Sequence, residues 1–327
     1  MELKNSTILI TGGTSGIGLE LVKQLTVQGA NIIVTGRKQD ALNETKNKFP
    51  KVNTFQSDVS NPKDIAQLYK DVTSQFPDLN IIINNAGQMR LIDLQDKSLD
   101  LENINREVAV NLTGTIQMVH QFLPHLVTRK SAAIINVSSA IAFLPYSVAP
   151  IYSAAKSGVR AYTQALRLQL QDTRIKVFEL IPSGTNTNLQ NDWILPTDPK
   201  MMMDVDKLVT AVIKDLLKNK SELKPTIVGV IKWMSRIIPN VLLNMGHKEF
   251  NKFKELKYGV KIGVSKKEGL PFGFVILSNI IPPIGFYLYF KYRNQFPKKA
   301  KMALVNGIIG IPLGIISGYT LQNYLLK

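Results

Sequence analysis

Short runs rich in Ile and Val, separated by stretches of helical period, fill the first 250 residues and restrict the fold more than any other feature. They lie at residues 6–11, 31–35, 52–56, 80–84, 132–137, 176–180 and 226–230. Most lack strict apolar–polar alternation, as strands buried on both faces do. Helix-patterned stretches fall at 18–28, 62–75, 101–126 and 153–171. Strand–helix alternation implies right-handed crossovers and an α/β architecture with a doubly wound parallel sheet.

Motifs sit where such a sheet places chemistry. Thr11-Gly12-Gly13-Thr14-Ser15-Gly16-Ile17-Gly18 follows the first run and opens a helix. Glycines there allow a tight turn and close backbone approach to a phosphate, and the helix N-terminus adds free N–H groups and a favourable dipole. The expectation is a Rossmann-type dinucleotide site. The second run ends at Thr35-Gly36-Arg37-Lys38. NAD sites usually place a carboxylate here for the ribose 2′-hydroxyl; two cations and no acid suit the 2′-phosphate of NADP instead. Asn84-Asn85-Ala86-Gly87 closes the fourth run, and Ser138-Ser139 the fifth. Tyr152 and Lys156, four apart, share one helix face. An ammonium beside a phenol lowers its pKa, so that a Tyr can act as acid or base near neutral pH.

Taken together, the Gly-rich turn, the Asn-Asn-Ala-Gly motif, Asn111, Ser139, Tyr152 and Lys156 resemble the short-chain dehydrogenase/reductase family over about residues 1–250. The resemblance implies that Tyr152 exchanges a proton with the substrate oxygen during hydride transfer, and that Lys156 lowers its pKa and holds the nicotinamide ribose. Ser139, thirteen residues before Tyr152, matches the serine that hydrogen-bonds the substrate carbonyl, in preference to Ser138. Asn111 matches the asparagine of a proton-relay water. Gly12, Ser15, Gly16, Ile17 and Gly18 match the pyrophosphate turn, Asp58 an adenine contact and Asn85 a cofactor contact. In Pro182-Ser183-Gly184-Thr185-Asn186-Thr187 an extra serine leaves Thr185 and Thr187 as alternatives for the carboxamide, with Thr187 the better match. The resemblance also implies a homodimer through the long helices. Residues 177–182 and Ile238-Pro239-Asn240 are similar to a bacterial subgroup associated with teichoic-acid D-alanylation. At the lid position, 189–206, Trp193, Ile194, Leu195 and Met201-Met202-Met203 suit an apolar carbonyl or alcohol substrate, or simply pack the loop down.

The remaining 77 residues are foreign to this pattern. Residues 251–327 hold 12 Lys/Arg against 2 Asp/Glu, so +10 of the net +16 lies there. This charge brackets two uncharged apolar runs, 272–290 and 302–326, each long enough to suggest a membrane span. Basic flanks meet anionic headgroups; nucleic acid would ask for one folded basic face with interleaved aromatics, and is not expected. Residues 251–270 read as a basic linker and 271–327 as two hydrophobic, membrane-embedded segments, leaving residues 1–250 in the cytoplasm as the NAD(P)-binding domain. Pro282-Pro283 argues that the first run is kinked or re-entrant. The five cations from Lys291 to Lys301 resist export, which also disfavours a simple two-span hairpin. Gly310, Gly314 and Gly318 form a small-residue stripe on the second run.

Zero Cys and three His (His120, His125, His247) exclude a thiol nucleophile and argue against a metal site. The expected function is a membrane-anchored, NADP-preferring oxidoreductase. The alternatives are a silent nucleotide-binding scaffold and an epimerase on the same fold.

Overall fold

Thr7–Thr11 forms β1, all five side chains buried. Ile8 and Ile10 join one apolar layer while Leu9 joins the other, because successive strand side chains point to opposite faces. The same division recurs in β4 (Leu79–Asn84), where Ile81 and Ile83 face one way and Ile82 the other. With β2 (Asn31–Gly36), β3 (Asn53–Gln56), β5 (Ala132–Val137), β6 (Ile175–Leu180) and β7 (Glu222–Leu223) they make a seven-stranded sheet in the order β3-β2-β1-β4-β5-β6-β7. All neighbouring pairs are parallel. The order reverses between β1 and β4, so the crevice at the carboxyl ends of those strands is the place where such sheets bind ligands.

The computed structural model describes residues 2–190, 193–196, 202–259, 274–275, 278, 282–294 and 296–320. They belong to two compact units, Met1–Val260 and Lys261–Lys327. In the first, α1 (Gly16–Val27), α2 (Gln39–Lys48) and α8 (Val205–Leu217) cover one sheet face through Leu21, Leu25, Leu42, Leu208 and Val212. The other face is covered by α3 (Pro62–Gln75), α6 (Gly114–Val127) and α7 (Pro150–Gln169), through Leu68, Val72, Met118, Phe122 and Leu166. Pro62 and Pro150 start their helices, where a missing N–H costs nothing.

Three expectations need correction. Residues 226–230 are not a strand: they open α9 (Thr226–Ile237), and the edge strand is the two-residue β7 just before it. A short apolar run does not distinguish a strand from one turn of a helix. The stretch 101–126 is not one helix. It runs as α4 (Leu101–Ile104), α5 (Arg106–Val108), a π-helical turn Ala109–Thr113, then α6. Finally, α10 (Pro239–Tyr258) continues through the first eight residues of the expected linker; residues 260–270 lie outside the described ones.

The second unit contains α11 (Pro282–Tyr292) and α12 (Pro297–Thr320). Pro282 and Pro283 are the first described residues of α11; residues 279–281 lie outside the described ones, and with them the expected kink. The two helices approach closely at Gly285, where a β-carbon would stand 2.7 Å from the Gly307 Cα and the Ala303 carbonyl oxygen. Thus Ala303, Gly307 and Gly310 line the buried side of α12; the side chains at 312–320 lie outside the described ones. In the first apolar run, residues 272–273, 276–277 and 279–281 are also outside. Among the described residues no helix is long and apolar enough to cross a membrane, so the expected spans find no support in the fold.

Candidate active site

The turn between β1 and α1 has Gly12 at φ +63° and Gly16 at φ +52°, left-handed values that cost a side chain energy. Space is as restrictive as angle: a β-carbon on Gly12 would lie 2.9 Å from the Ala86 Cα, and one on Gly18 2.5 Å from Asn85 Nδ2. Ser15 is exposed at the N-cap of α1, its hydroxyl unused as a cap, and no acid occupies the first turn. The positive end of the helix and its free N–H groups are therefore open to an anion. Ile17 packs down on the core beside them. A cradle that any β-carbon would fill, over an undischarged helix N-terminus, fits a dinucleotide pyrophosphate.

Asn85 braces this turn. Its side-chain nitrogen donates to the Thr11 and Gly12 carbonyls, both at 3.0 Å, and the Asn85 and Ala86 N–H groups donate to Thr11 Oγ1 at 3.0 Å. The expected direct cofactor contact is thus unavailable to the Asn85 side-chain nitrogen, which is spent on the turn. Thr187 lies over the same turn, its Cβ 3.2 Å from where a β-carbon on Gly16 would be. Thr185 is buried and donates to the Ser183 carbonyl at 2.9 Å; of the two, Thr187 is the one facing the turn.

A cleft of about 380 Å³ opens beyond the carboxyl ends of β2 and β3, lined by Arg37, Phe55, Gln56, Ser57, Asp58, Asp64, Gln67, Leu68 and Asp71. Arg37 and Asp58 are thereby brought together. Lys38 is exposed at the N-cap of α2 and is not part of this lining. Asp58 Oδ1 accepts from the Ser60 N–H and hydroxyl, which fixes its orientation. Asp64 and Asp71, which share this lining, were not singled out in the sequence.

At the ends of β4 and β5 four residues meet. Asn111 is fully buried in the π-helical turn. Its side-chain nitrogen donates to the Gln88 carbonyl at 2.8 Å and the Glu107 carbonyl at 2.9 Å, while its Oδ1 accepts the Gln88 N–H. Lys156 Nζ donates to the Val137 carbonyl at 2.8 Å and stands 5.6 Å from the Tyr152 ring centre. Gly87 leaves room for both: a β-carbon there would be 2.9 Å from Asn111 Oδ1 and 3.7 Å from Lys156 Nζ. Ser139 caps the 3-10 turn Ala140–Ala142, and its hydroxyl hydrogen-bonds the Tyr152 hydroxyl. π-Helical turns often mark functional sites because the extra residue redirects a side chain.

The charges differ from the expectation. Burial pushes the Tyr152 phenol well above its ordinary value, the Ser139 hydrogen bond pulls it down, and the Glu107 charge pushes it up further. Burial lowers Lys156 to about 8. Burial dominates the Tyr152 shift, and the Lys156 ammonium points its hydrogen bond at a backbone carbonyl.

Two buried carboxylates escaped sequence reasoning. Glu107 accepts from the Arg90 N–H at 2.8 Å and pairs with its guanidinium. Glu179 accepts from the Ser138 hydroxyl at 2.6 Å and from Arg160 at 2.8 Å, and Arg160 continues to Glu222. Burial raises both Glu107 and Glu179. Glu107 sits one helical turn before Asn111, a spacing that hinted at a shared face; nothing in the sequence linked Ser138, Glu179 and Arg160. The wall beside Tyr152 is apolar, formed by Met89, Ile141, Tyr146, Ala149 and Trp193. Of the lid residues, Leu195 packs with Val148 and Phe253, Ile194 is half exposed, and Met203 turns into the core; Met201 is outside the described residues.

Residues 6–196 match the family model for short chain dehydrogenases. The chain is 37% identical over 189 residues to an uncharacterized oxidoreductase DltE of Bacillus subtilis (strain 168), covering 58% of this chain and 75% of that relative. A short chain dehydrogenase from Burkholderia cenocepacia J2315, solved in complex with NADP, superposes with a TM-score of 0.64 at 26% identity, covering 74% of this chain and 97% of that one. A short chain dehydrogenase/reductase from Burkholderia phymatum, solved with NAD, gives 0.65 at 18% identity over 73% and 96%, a likeness of fold.

Proposed function

The chain belongs to the short-chain dehydrogenase family, and on that premise we propose that it moves a hydride between NADP(H) and a carbonyl or alcohol carbon, with Tyr152 carrying the proton. Bound nicotinamide would supply or accept the hydride. Gly12, Ser15, Gly16, Ile17 and Gly18 would hold the pyrophosphate, Thr187 would close over it, and Arg37 with Lys38 would meet a 2′-phosphate. NADP is favoured over NAD because β2 ends without a carboxylate; Asp58 is left for the adenine side of the same cleft.

The observation that carries the proton role is the Ser139–Tyr152 hydroxyl pair, set against an apolar wall and above Lys156. A phenol held above its usual pKa keeps its proton at neutral pH, and a developing alkoxide is basic enough to take it. In this reading Ser139 orients the substrate oxygen, Lys156 holds the ribose and Asn111 the relay water. The apolar wall suits a bulky carbonyl. In the test, Tyr152→Phe abolishes NADPH-dependent turnover of a carbonyl panel while NADPH, titrated beside NADH, binds as in the parent. Retained turnover sinks the role; product without net cofactor oxidation would favour an epimerase, and cofactor binding with no turnover in the parent a scaffold.

Attachment to a membrane through 271–327, with the catalytic unit in the cytoplasm, is part of the same proposal. Its support is the exposure of Tyr287, Phe290, Ile308 and Ile309 on α11 and α12 beside the cations Lys291, Arg293, Lys298, Lys299 and Lys301. Dimerisation through α6 and α7 is likewise proposed, on the exposed Ile116 and Leu168.

A further inference from the structure

Helix α9 is apolar on two opposite sides. Inward, Val228 and Ile231 pack on Ala140, Phe143 and Ile181, against the turn that follows Ser139. A surface helix with its apolar side so used normally turns polar residues outward. Here Ile227, Val230, Trp233 and Ile237 point out, at 52%, 45%, 64% and 57% exposure. Their spacing of three, three and four residues makes one continuous stripe. The surrounding charge has one sign: between Glu222 and Glu249 there is no acidic residue, while Lys224, Lys232, Arg236 and Lys248 are present. Glu222 holds Lys224 and Lys232; Arg236 and Lys248 are exposed.

We infer that the outer stripe of α9 docks on an anionic lipid surface, with Trp233 at headgroup level. An apolar stripe edged by cations, carrying an indole, is the pattern of a helix lying in the plane of a membrane interface. A second copy on the same stripe would set two acid-free, cationic segments against each other; a layer of anionic headgroups covers the apolar residues and neutralises the cations together. The docking stands on α9 alone and is independent of attachment by 271–327. Because α9 braces the turn beside Ser139, the substrate class it would serve is an apolar carbonyl carried in the lipid, a clause that does rest on the hydride-transfer reading.

The absence of cysteine gives a clean test on the 327-residue chain. Val230→Cys and Ile237→Cys each take one environment-sensitive fluorophore, and Lys218→Cys, exposed after α8, serves as control. With phosphatidylglycerol vesicles, emission at 230 and 237 is expected to rise severalfold, to be quenched by brominated acyl chains, and to change far less with phosphatidylcholine; position 218 stays as in buffer. Flotation of the same samples reports attachment by any route. If the protein floats while 230 and 237 remain as in buffer, the docking is overturned and attachment elsewhere in the chain stands. If it floats with neither lipid, both are overturned. Emission already high without vesicles would mean that the chain itself or a second copy covers the stripe, which also overturns the docking. None of these outcomes touches the hydride-transfer reading.

Discussion

Lys156 is a charge held at a cost. It is buried, bonded to one backbone carbonyl, and its pKa falls from 10.5 to about 8. Between those values the unfolded chain binds more protons than the folded one, so stability rises with pH across that window, and below about 8 the buried ammonium weighs against the fold. The difference is on the order of 3 kcal/mol at 1.36 kcal/mol per unit. Lys156→Met should therefore unfold no earlier than the parent at pH 7 in urea, with the parent gaining on it between pH 8 and 10.5, while turnover is lost. In the parent, reduction should fall as pH rises through about 8, where the ammonium discharges. A variant destabilised at pH 7 and unchanged in its pH dependence would refute the account. Tyr152 and Lys156 were legible in the sequence as a pair on one face; the direction of their pKa shifts was not, because burial is decided by the tertiary fold, which packs Met89 and Trp193 from distant loops beside Tyr152.

Among the elements, the β1–α1 turn is the most tightly determined. Its glycines answer to contacts with Ala86 and Asn85 as well as to backbone angle. Gly18→Ala should push the turn off Asn85 and weaken NADPH binding at least tenfold, about 1.4 kcal/mol, measured by titration; binding within a factor of two would show that the turn relaxes without loss. The strand runs at β1, β2, β4, β5 and β6 were readable because Ile and Val mark buried strands; β3, Asn-Thr-Phe-Gln, holds neither. The seventh was misread because Thr226–Ile237 buries Val228 and Ile231 at helical spacing. The break at 101–126 was hidden because a π-helical turn has no composition of its own; it follows from the bonds Asn111 makes to Gln88 and Glu107.

At the scale of the molecule, the excess charge gathers after residue 250 and the apolar exposure gathers on α9, α11 and α12. Attachment by apolar insertion and attachment by charge differ in salt: at about 1 M ionic strength the screening length is about 3 Å. If 271–327 insert, high-salt washing leaves the protein in the membrane fraction and detergent releases it; release by salt alone would mean that only charge holds it. The sequence by itself determined the parallel α/β sheet and the glycine turn after its first strand, because those depend on local residue patterns; the Asn111–Ser139–Tyr152–Lys156 set came from its resemblance to the family. Only the tertiary structure decided that Asn85 braces the turn, that Glu107 and Glu179 stand buried behind the site, and that α9 carries a second apolar side. Burial and pairing are made between residues far apart in the chain, and no local pattern encodes them.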